Sequence, residues 1–242
     1  MPITLITGAS SGIGLATRIR LEQEGNTVYN LDIQDPKDGS RFIHCDVRSK
    51  ASVLAAVQQV LQERGRIDQV FSNAGLHLFA TLEETSDEEL MRLVETNILG
   101  TFYLVQAVIP VMKAQQYGRI VLMGSDQSFV GKGSSSVYGL TKGAIGQFTK
   151  STAIDYAPYN ILVNCICPGT IDTPLLHRAV TRFSTLKSVP EPEVYKSLDA
   201  IQPIGRVGRP EEIAEVVAFL LSEKNTFMTG SLVAADGGYV CQ

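Results

Sequence analysis

Short runs of apolar residues alternate along the chain with longer stretches in which apolar residues recur at helical spacing. The short runs predict seven β-strands, at residues 3–7, 27–32, 41–45, 68–73, 119–125, 161–167 and 231–236. The longer stretches predict helices over residues 12–24, from the N-cap Ser49 to about 64, from the acidic segment 86–90 to about 111, from 137 to about 156, and from Pro210 onward. The strands are apolar at consecutive positions, which is typical of a parallel sheet with helices on both faces. The pattern therefore predicts an α/β fold.

The predicted elements fill the chain without an internal repeat, a low-complexity tract or a linker. The length of 242 residues suits one large domain, so residues 1–242 are predicted to form a single domain. The connections are short except for residues 169–209. An insert at about 171–205 is therefore predicted to cover a ligand pocket.

The composition narrows the class of protein. Hydrophobic residues make up 44% and charged residues 19% of the chain, and the net charge is −4 without any basic block. Nucleic acid is therefore not an expected partner. The chain opens on a short apolar strand with no basic segment before it, and no apolar run approaches the roughly 20 residues that span a bilayer. A cytoplasmic protein without a membrane partner is expected.

The cysteines and histidines predict neither a metal site nor a disulfide framework. The four cysteines, which have no Cys-x-x-Cys spacing, are Cys45, Cys165, Cys167 and Cys241. Cys165 and Cys167 lie two residues apart in a predicted strand and share one face, so buried free thiols are expected. The three histidines are scattered and form no metal-ligand pattern, so no metal is expected.

A glycine-rich turn, TGASSGIG at residues 7–14, lies between the first predicted strand and the first helix. Its glycines leave no side chains between the backbone and a ligand, and the free N–H groups of the helix start attract a phosphate. An ordinary turn is the alternative, but the position between strand and helix favours phosphate binding. The predicted cofactor contacts in this turn are Gly8, Ser10, Ser11, Gly12, Ile13 and Gly14.

A carboxylate ends each of the next two predicted strands. Asp32 can accept hydrogen bonds from both ribose hydroxyls of an adenosine and would repel a 2′-phosphate. No arginine or lysine adjoins Asp32 or lies in the glycine-rich turn, so NAD is predicted rather than NADP. Asp46 can meet the adenine amino group or can be an ordinary solvated turn aspartate, and the spacing leaves both open.

The segment VYGLTK places Tyr138 four residues before Lys142. On a helix these residues share a face, so the phenol and the ammonium become neighbours. A nearby cation favours phenolate and lowers the pKa of a tyrosine, so the pair can supply a base near neutral pH. A surface tyrosine beside a solvated lysine is the alternative, since such a pair also arises by chance.

Together these segments resemble the short-chain dehydrogenase/reductase family in its single-domain form, over almost the whole chain. The motifs that carry the resemblance are TGASSGIG (7–14), SNAG (72–75), Asn97 in NILG, Ser125 in MGS, YGLTK (138–142) and CPGTIDT (167–173). The resemblance implies a Rossmann-type, doubly wound sheet of seven parallel strands in the order 3-2-1-4-5-6-7. It also implies that residues 1–242 form one dinucleotide-binding catalytic domain.

The resemblance implies a reaction in which a hydride passes between the nicotinamide of NAD and the carbon of a secondary alcohol or ketone. Tyr138 is implied as the general acid/base, Lys142 as the residue that lowers its pKa and holds the nicotinamide ribose, and Ser125 as a donor to the substrate oxygen. Asn97 is implied to hold a water behind Lys142. Cofactor contacts are further implied for Val47, Asn73, Ala74, Gly75, Pro168, Gly169, Ile171 and Thr173, besides Asp32, Asp46, Tyr138 and Lys142.

Two positions depart from related patterns. Asp126 follows Ser125 where many family members have a small residue, and a solvated side chain is expected there, with a carboxylate at the pocket rim as the alternative. The segment NCICPGTIDTP (164–174) resembles a subgroup that oxidises small hydroxy acids, including the type 2 3-hydroxybutyrate dehydrogenases, which hold a carboxylate with arginines. Ser135 stands where that subgroup has an arginine. The remaining candidate cations are Arg178, Arg182 and Arg206.

The expected substrate is a small polar hydroxy acid or a sugar-derived compound, and a neutral polyol or ketone is the alternative. Two other functions stay open. A 3-oxoacyl-thioester (acyl carrier protein) reductase usually runs on NADPH, so Asp32 argues against it. A nucleotide-sensing regulator without activity would not need the intact set of Ser125, Tyr138 and Lys142.

Three glycines, Gly139, Gly143 and Gly146, lie on one stripe of the helix that contains VYGLTK. Each costs about 0.5–1 kcal/mol relative to alanine inside a helix. The stripe therefore predicts that another backbone approaches closely, either from the sheet of the same chain or from a second subunit. The family commonly pairs this helix between subunits, so a homodimer or homotetramer is expected.

Overall fold

Seven strands form one parallel sheet in the order β3-β2-β1-β4-β5-β6-β7 in the computed structural model, which describes residues 1–242. The strands are β1 (Ile3–Thr7), β2 (Thr27–Asp32), β3 (Arg41–His44), β4 (Gln69–Ser72), β5 (Gly118–Met123), β6 (Ile161–Pro168) and β7 (Leu232–Ala235). The predicted fold class and strand order are confirmed. The order reverses between β1 and β4, which is where such sheets open a crevice for ligands.

Eight α-helices connect the strands. They are α1 (Gly12–Gln23), α2 (Lys50–Arg64), α3 (Asp87–Leu93), α4 (Gly100–Gln115), α5 (Ser136–Tyr156), α6 (Pro174–Lys187), α7 (Glu191–Ile201) and α8 (Pro210–Leu221). The predicted N-cap Ser49 accepts a hydrogen bond from the N–H of Ser52 (3.3 Å), and α2 ends at Arg64 as predicted. Ser86 and Glu89 exchange hydrogen bonds in a capping box that starts α3.

The two faces of the sheet pack against different helices. In β1, Leu5 joins a cluster of 25 buried residues with α2, α4 and α5, whereas Ile6 joins a cluster of 13 with α1 and α8. The same division separates Val70 from Phe71 in β4. Successive side chains of a strand point to opposite faces, so burial of both faces requires apolar residues at consecutive positions. This explains the pattern from which the sheet was predicted.

One continuous helical run, Asp87–Gln115, is long and apolar enough to span a bilayer by length and composition. It consists of α3, a π-helical segment (Val94–Leu99) and α4, and it continues past its predicted end near residue 111. Leu104, Val108 and Met112 of this run are fully buried in the larger core cluster. The apolar face of the run therefore already has a partner within the chain.

The predicted insert at 171–205 contains the two helices α6 and α7. Thr173 caps α6 by accepting a hydrogen bond from the N–H of Leu176 (3.3 Å), and Pro174 follows in the first turn. Each of the two helices buries a single residue, Val180 in α6 and Val194 in α7. The rest of both helices is half-buried or exposed, as expected of a segment that covers a pocket from the surface.

Three of the four cysteines are buried free thiols, namely Cys45, Cys165 and Cys167. The Sγ atoms of Cys165 and Cys167 lie 3.6 Å apart on one face of β6, as their spacing predicts. Cys241 is exposed, which corrects the prediction for this residue. It lies beyond β7, at the end of a short 3₁₀ turn (Tyr239–Cys241).

The glycine stripe of α5 is only partly explained within the chain. A Cβ at Gly139 would lie 3.2 Å from Oε1 of Gln127, and one at Gly146 would lie 3.0 Å from the side chain of Leu232. A Cβ at Gly143 would meet nothing within 4 Å. Two of the glycines therefore make room for side chains rather than for the predicted backbone. A subunit contact on this helix stays a prediction.

Candidate active site

A cavity of about 810 Å³ lies at the carboxyl ends of β1, β4, β5 and β6, with α6 and α7 on one side. Most of the predicted site residues line it, namely Gly8, Ser11, Gly12, Ile13, Asp32, Asp46, Val47, Asn73, Ala74, Gly75, Ser125, Tyr138, Lys142, Pro168, Gly169, Ile171 and Thr173. Ser10, Gly14 and Asn97 do not line it. Segments far apart in the sequence therefore meet in one crevice large enough for a small-molecule ligand.

The glycine-rich turn is shaped by close packing against the end of β4. Gly8 has a φ of +69°, and a Cβ at Gly14 would lie 2.2 Å from the carbonyl oxygen of Gly8. The amide of Asn73 donates to that same oxygen (2.9 Å) and to the carbonyl of Thr7 (3.0 Å). Ser11 at the N-cap of α1 makes no side-chain cap, so the first N–H groups of the helix are free to bind an anion.

Ser10 supports this turn from behind and does not face the cavity. Its hydroxyl donates to the carbonyl of Gln34 (2.6 Å) and accepts from the amide of Asn30 (3.0 Å). Its backbone N–H donates to Oδ2 of Asp32 (3.1 Å). Ser10 thus links the turn to β2, and the direct cofactor contact predicted for it stays a prediction.

Asp32 stands at the end of β2 and lines the cavity, as its position in the sequence predicts. Its carboxylate is oriented by two backbone N–H donors, those of Ser10 (3.1 Å) and Gln34 (3.1 Å). Each carboxylate oxygen accepts one of these bonds and keeps further lone-pair capacity. Asp32 is therefore held in place with room to accept two hydroxyl groups of a ligand.

Asp46 has a partner that sequence reasoning missed. The guanidinium of Arg48 binds it through Nε (3.0 Å to Oδ1) and Nη2 (2.7 Å to Oδ2), and this hydrogen bonding lowers the pKa of the Asp46 carboxyl below its usual value. Arg48 also lines the cavity. Asp46 is therefore ion-paired at the cavity wall, which differs from a merely solvated turn residue. The signal was an arginine two residues after the acid.

Tyr138 and Lys142 lie one turn apart at the start of α5. Nζ of Lys142 lies 5.5 Å from the centre of the Tyr138 ring, so the predicted shared face is correct. The ammonium group is buried and donates to the carbonyl oxygen of Met123 at the end of β5 (2.8 Å). The ammonium group of Lys142 thus donates to a backbone oxygen rather than to the phenol of Tyr138.

Burial governs the titration of both groups. It raises the pKa of Tyr138 above the usual value for tyrosine, although the adjacent Ser125 hydroxyl opposes the rise. The charge of Asp126 adds to the rise. Burial also lowers the pKa of Lys142 to about 8. Desolvation of the phenolate is thus the largest influence on the Tyr138 pKa, and the expected lowering of that pKa by Lys142 stays a prediction.

Asn97 lies within the π-helical segment and is almost completely buried. Its amide donates to the carbonyl of Leu76 (2.9 Å) and to Oγ1 of Thr141 (3.0 Å), and its oxygen accepts from the N–H of Leu76 (2.8 Å). The side chain thus fastens the segment after β4 to α5. Its role in holding a water stays a prediction.

The side chain of Asp126 is only 3% exposed, which corrects the expectation of a solvated residue. One carboxylate oxygen accepts a hydrogen bond from the Ser125 hydroxyl (2.9 Å), and the other binds Nζ of Lys132 (2.6 Å). A charged side chain can be buried here because both of its oxygens have partners. Lys132 lines the same cavity and was not identified from the sequence.

His77 is a third residue of the site, after Arg48 and Lys132, that the sequence did not reveal. Its ring packs against the ring of Tyr138 at 4.5 Å between centroids, and it lines the cavity. Burial lowers the pKa of His77 to about 4, helped by the positive charges of Lys132 and Lys142. His77 is therefore neutral at physiological pH and forms part of the cavity wall.

The three candidate arginines occupy different environments. Arg178 lines the cavity, whereas Arg182 and Arg206 do not. Arg182 pairs with Glu89 (3.0 Å), and Arg206 makes a bidentate pair with Glu212 (2.7 and 2.9 Å). Only the first of the three predicted cations is thus placed to meet a ligand. Ser135 also lines the cavity, as its position before Tyr138 implies.

Known proteins share this fold and much of this sequence. A sequence model of the family described as enoyl-(acyl carrier protein) reductase matches residues 8–240. Cyclopentanol dehydrogenase of Comamonas testosteroni is 33% identical over 249 residues, which cover 98% of this chain and 96% of that protein. The structure of an NAD⁺-bound xylitol dehydrogenase is 34% identical, with a TM-score of 0.92 and 98% of each chain covered.

Similar structures hold either nicotinamide cofactor. Besides that NAD⁺-bound enzyme, the structure of ElxO with NADP bound is 27% identical with a TM-score of 0.90, covering 100% of this chain and 99% of the other. The relatives act on alcohols or ketones, and the family model covers nearly the whole of this chain. This chain therefore belongs to the short-chain dehydrogenase/reductase family, and it is an oxidoreductase of CH–OH groups that uses a nicotinamide cofactor.

Proposed function

We propose that this protein is an NAD-dependent dehydrogenase that oxidises a secondary alcohol, or reduces the matching ketone, of a small polar hydroxy acid or sugar-derived compound. The observation that carries the proposal is the convergence of Ser125, Tyr138 and Lys142 on one cavity whose other end contains Asp32 and the free helix start of α1. This arrangement supports binding of a dinucleotide and of a small substrate side by side.

The residues around the cavity fit the cofactor. The free N–H groups at the start of α1 would hold the pyrophosphate, and the oriented carboxylate of Asp32 would hold the adenosine ribose. The close approach at Gly14 keeps the turn free of side chains that would block a phosphate. When bound, the nicotinamide ring supplies the hydride chemistry.

The chain itself handles the proton. Tyr138 would take the alcohol proton as phenolate during oxidation and return it during reduction. The hydroxyl group of Ser125 would donate a hydrogen bond to the same substrate oxygen. Because burial raises the pKa of Tyr138, the protonated phenol dominates in the free protein, and a cation bound beside it is needed to stabilise phenolate.

Asp32 should make the protein choose NAD(H). We expect NADH to bind at least about tenfold more tightly than NADPH, because a clash of like charges of about 1.4 kcal/mol is enough for that ratio. Titration of cofactor fluorescence measures both affinities. In Asp32→Asn the ratio should shrink toward one, whereas Asp35→Asn, which alters an exposed acid of the following loop, should keep it. Equal affinities in the wild-type protein would contradict the choice of NAD.

Arg178 should hold the carboxylate if the substrate is an acid. We expect Arg178→Met to raise the KM for 3-hydroxybutyrate about tenfold, which corresponds to about 1.4 kcal/mol, while the KM for xylitol changes little. Arg182→Met is the matched control, because Arg182 lies on the same helix but pairs with Glu89. If xylitol is the better substrate, or if Arg178→Met leaves the KM for the acid unchanged, α6 is only a cover and the neutral polyol or ketone is favoured.

A 3-oxoacyl-thioester reductase is the second candidate, favoured by the 33% identity over 250 residues with a 3-oxoacyl-[acyl-carrier-protein] reductase of Thermotoga maritima. It differs from the first in both cofactor and substrate. Reduction of an acetoacetyl thioester with NADPH, faster than oxidation of any of the small alcohols with NAD, would select it.

A further inference from the structure

The hydroxyl of Ser125 adjoins a buried ion pair. Asp126 accepts the Ser125 hydroxyl proton at 2.9 Å and the ammonium of Lys132 at 2.6 Å. Nζ of Lys132 also lies 4.3 Å from the centre of the Tyr239 ring, and its side chain is 22% exposed. The pair therefore connects the solvent-facing rim of the cavity with the group that is proposed to hold the substrate oxygen.

Ser125 has one proton to donate, and the structure gives that proton to Asp126. The hydroxyl oxygen already accepts the N–H of Gln127 (3.2 Å). To donate to a substrate oxygen or to the Tyr138 phenolate, the hydroxyl must turn away from a carboxylate, which is a stronger acceptor than a neutral oxygen. Asp126 thus competes directly with the reacting atoms for the Ser125 proton.

Lys132 moderates this competition. A carboxylate that shares its charge with an ammonium at 2.6 Å is a weaker acceptor and a weaker source of negative potential than a lone carboxylate. Without Lys132 the buried Asp126 would lose one of its two partners. The position of this lysine therefore sets how strongly Asp126 holds the Ser125 hydroxyl.

Tyr138 is the group whose ionisation responds to this pair. Charged or titratable side chains surround this part of the site from each neighbouring segment, namely Asp126 after β5, Lys132 in the following loop, Lys142 on α5, His77 after β4 and the Cys165–Cys167 thiols of β6. Asp126 is the one carboxylate in this set. Its contact with Ser125 gives it two routes to Tyr138, through space and through the hydroxyl.

We propose that Asp126 is a positioning residue which, balanced by Lys132, withholds the Ser125 proton from the reaction and thereby raises the pH at which the site oxidises alcohols. The inference rests on the proposed roles of Ser125 and Tyr138. A site of this kind favours reduction of a carbonyl at neutral pH and needs alkaline conditions for oxidation. The pH dependence of alcohol oxidation is then tuned by a residue that does not itself exchange the proton.

The test is the pH profile of kcat/KM for alcohol oxidation with NAD⁺, measured with the best of cyclopentanol, xylitol and 3-hydroxybutyrate. Asp126→Asn keeps the shape of the side chain and removes its charge. The acidic limb of the profile should move to lower pH by about one unit, the scale of shift that a close charge causes. Asp172→Asn, which removes an exposed carboxylate paired with His177, should leave the limb in place.

A second comparison separates the two routes. In a Ser125→Ala background, adding Asp126→Asn should shift the limb by clearly less than it does when Ser125 is present, because the hydroxyl route is gone. An equal shift in both backgrounds overturns the role of Ser125, and an unmoved limb in Asp126→Asn overturns the whole proposal. If Asp126→Asn does not fold, Asp126→Asn/Lys132→Met removes both charges and should shift the limb in the same direction.

The proposed function and this inference fail in different ways. If none of the three alcohols is oxidised, or if Tyr138→Phe is as active as the wild type, the proposed function is wrong. If the wild type is active and depends on Tyr138 while Asp126→Asn keeps the wild-type profile, only the inference is wrong.

Discussion

Tyr138→Phe is expected to lower kcat for alcohol oxidation by roughly 10²–10⁴ while NAD⁺ still binds. The substitution removes the hydroxyl that exchanges the proton but keeps the ring that packs against His77. Loss of a general base costs a factor of this size, or roughly 3–5 kcal/mol of transition-state stabilisation. Steady-state kinetics with the best alcohol of the panel, together with cofactor titration, measures both quantities.

The control for this variant is Tyr156→Phe, at the opposite end of the same helix. Tyr156 packs against the larger core cluster, far from the cavity lining, so its variant should keep wild-type kcat. Wild-type-like turnover in Tyr138→Phe would mean that another group accepts the proton. Loss of cofactor binding in that variant would mean that the phenol holds the nucleotide rather than the proton.

Lys142→Met is expected to move the acidic limb of the oxidation profile to higher pH by about one unit or more, since removing a cation beside a phenol disfavours phenolate. The pKa of Lys142 is lowered to about 8, so its charge is present below about pH 8 and is lost above it. The loss of kcat/KM should therefore be largest below pH 8, about tenfold or more, and should narrow above that pH.

The matched control is Lys150→Met, two turns further along α5, where the side chain is exposed. It should leave the profile unchanged. A Lys142→Met variant that binds NAD⁺ and oxidises alcohol with an unmoved profile would contradict the coupling of the two residues. Such a result would leave Lys142 only its hydrogen bond to the Met123 carbonyl, as a support for the end of β5.

The sequence alone predicts the sheet and most of the cavity wall, because both depend on local patterns. Strand β2 begins and ends at the predicted residues, and α2 ends at Arg64 as predicted, since apolar runs and caps are read from neighbouring positions. The carboxyl ends of parallel strands must meet at one edge, so Asp32, Ser125 and the residues after β6 were expected together. These predictions need only the order of the strands and the residues that directly follow each strand.

What the sequence does not predict is which side chains meet across that edge. The contact between His77 and Tyr138 joins residues from two different loops, and its geometry is set by packing. A solvated side chain was expected for Asp126. Its burial depends on the ion pair with Lys132, six residues later, and the sequence pattern does not reveal that pair. The ammonium of Lys142 points to a backbone oxygen because desolvation and nearby acceptors, rather than helical spacing, determine its orientation.

The unequal burial of the cysteines has a practical consequence for spectroscopy. A maleimide added to the unmodified protein would react at Cys241, since the other three thiols are enclosed in the core. Cys241 lies two residues after Tyr239, whose ring lines the cavity beside Lys132. A fluorophore attached there, without any engineered cysteine, would sit close to the mouth of the cavity. The native chain thus offers a single attachment point from which cofactor binding can be followed by emission in real time.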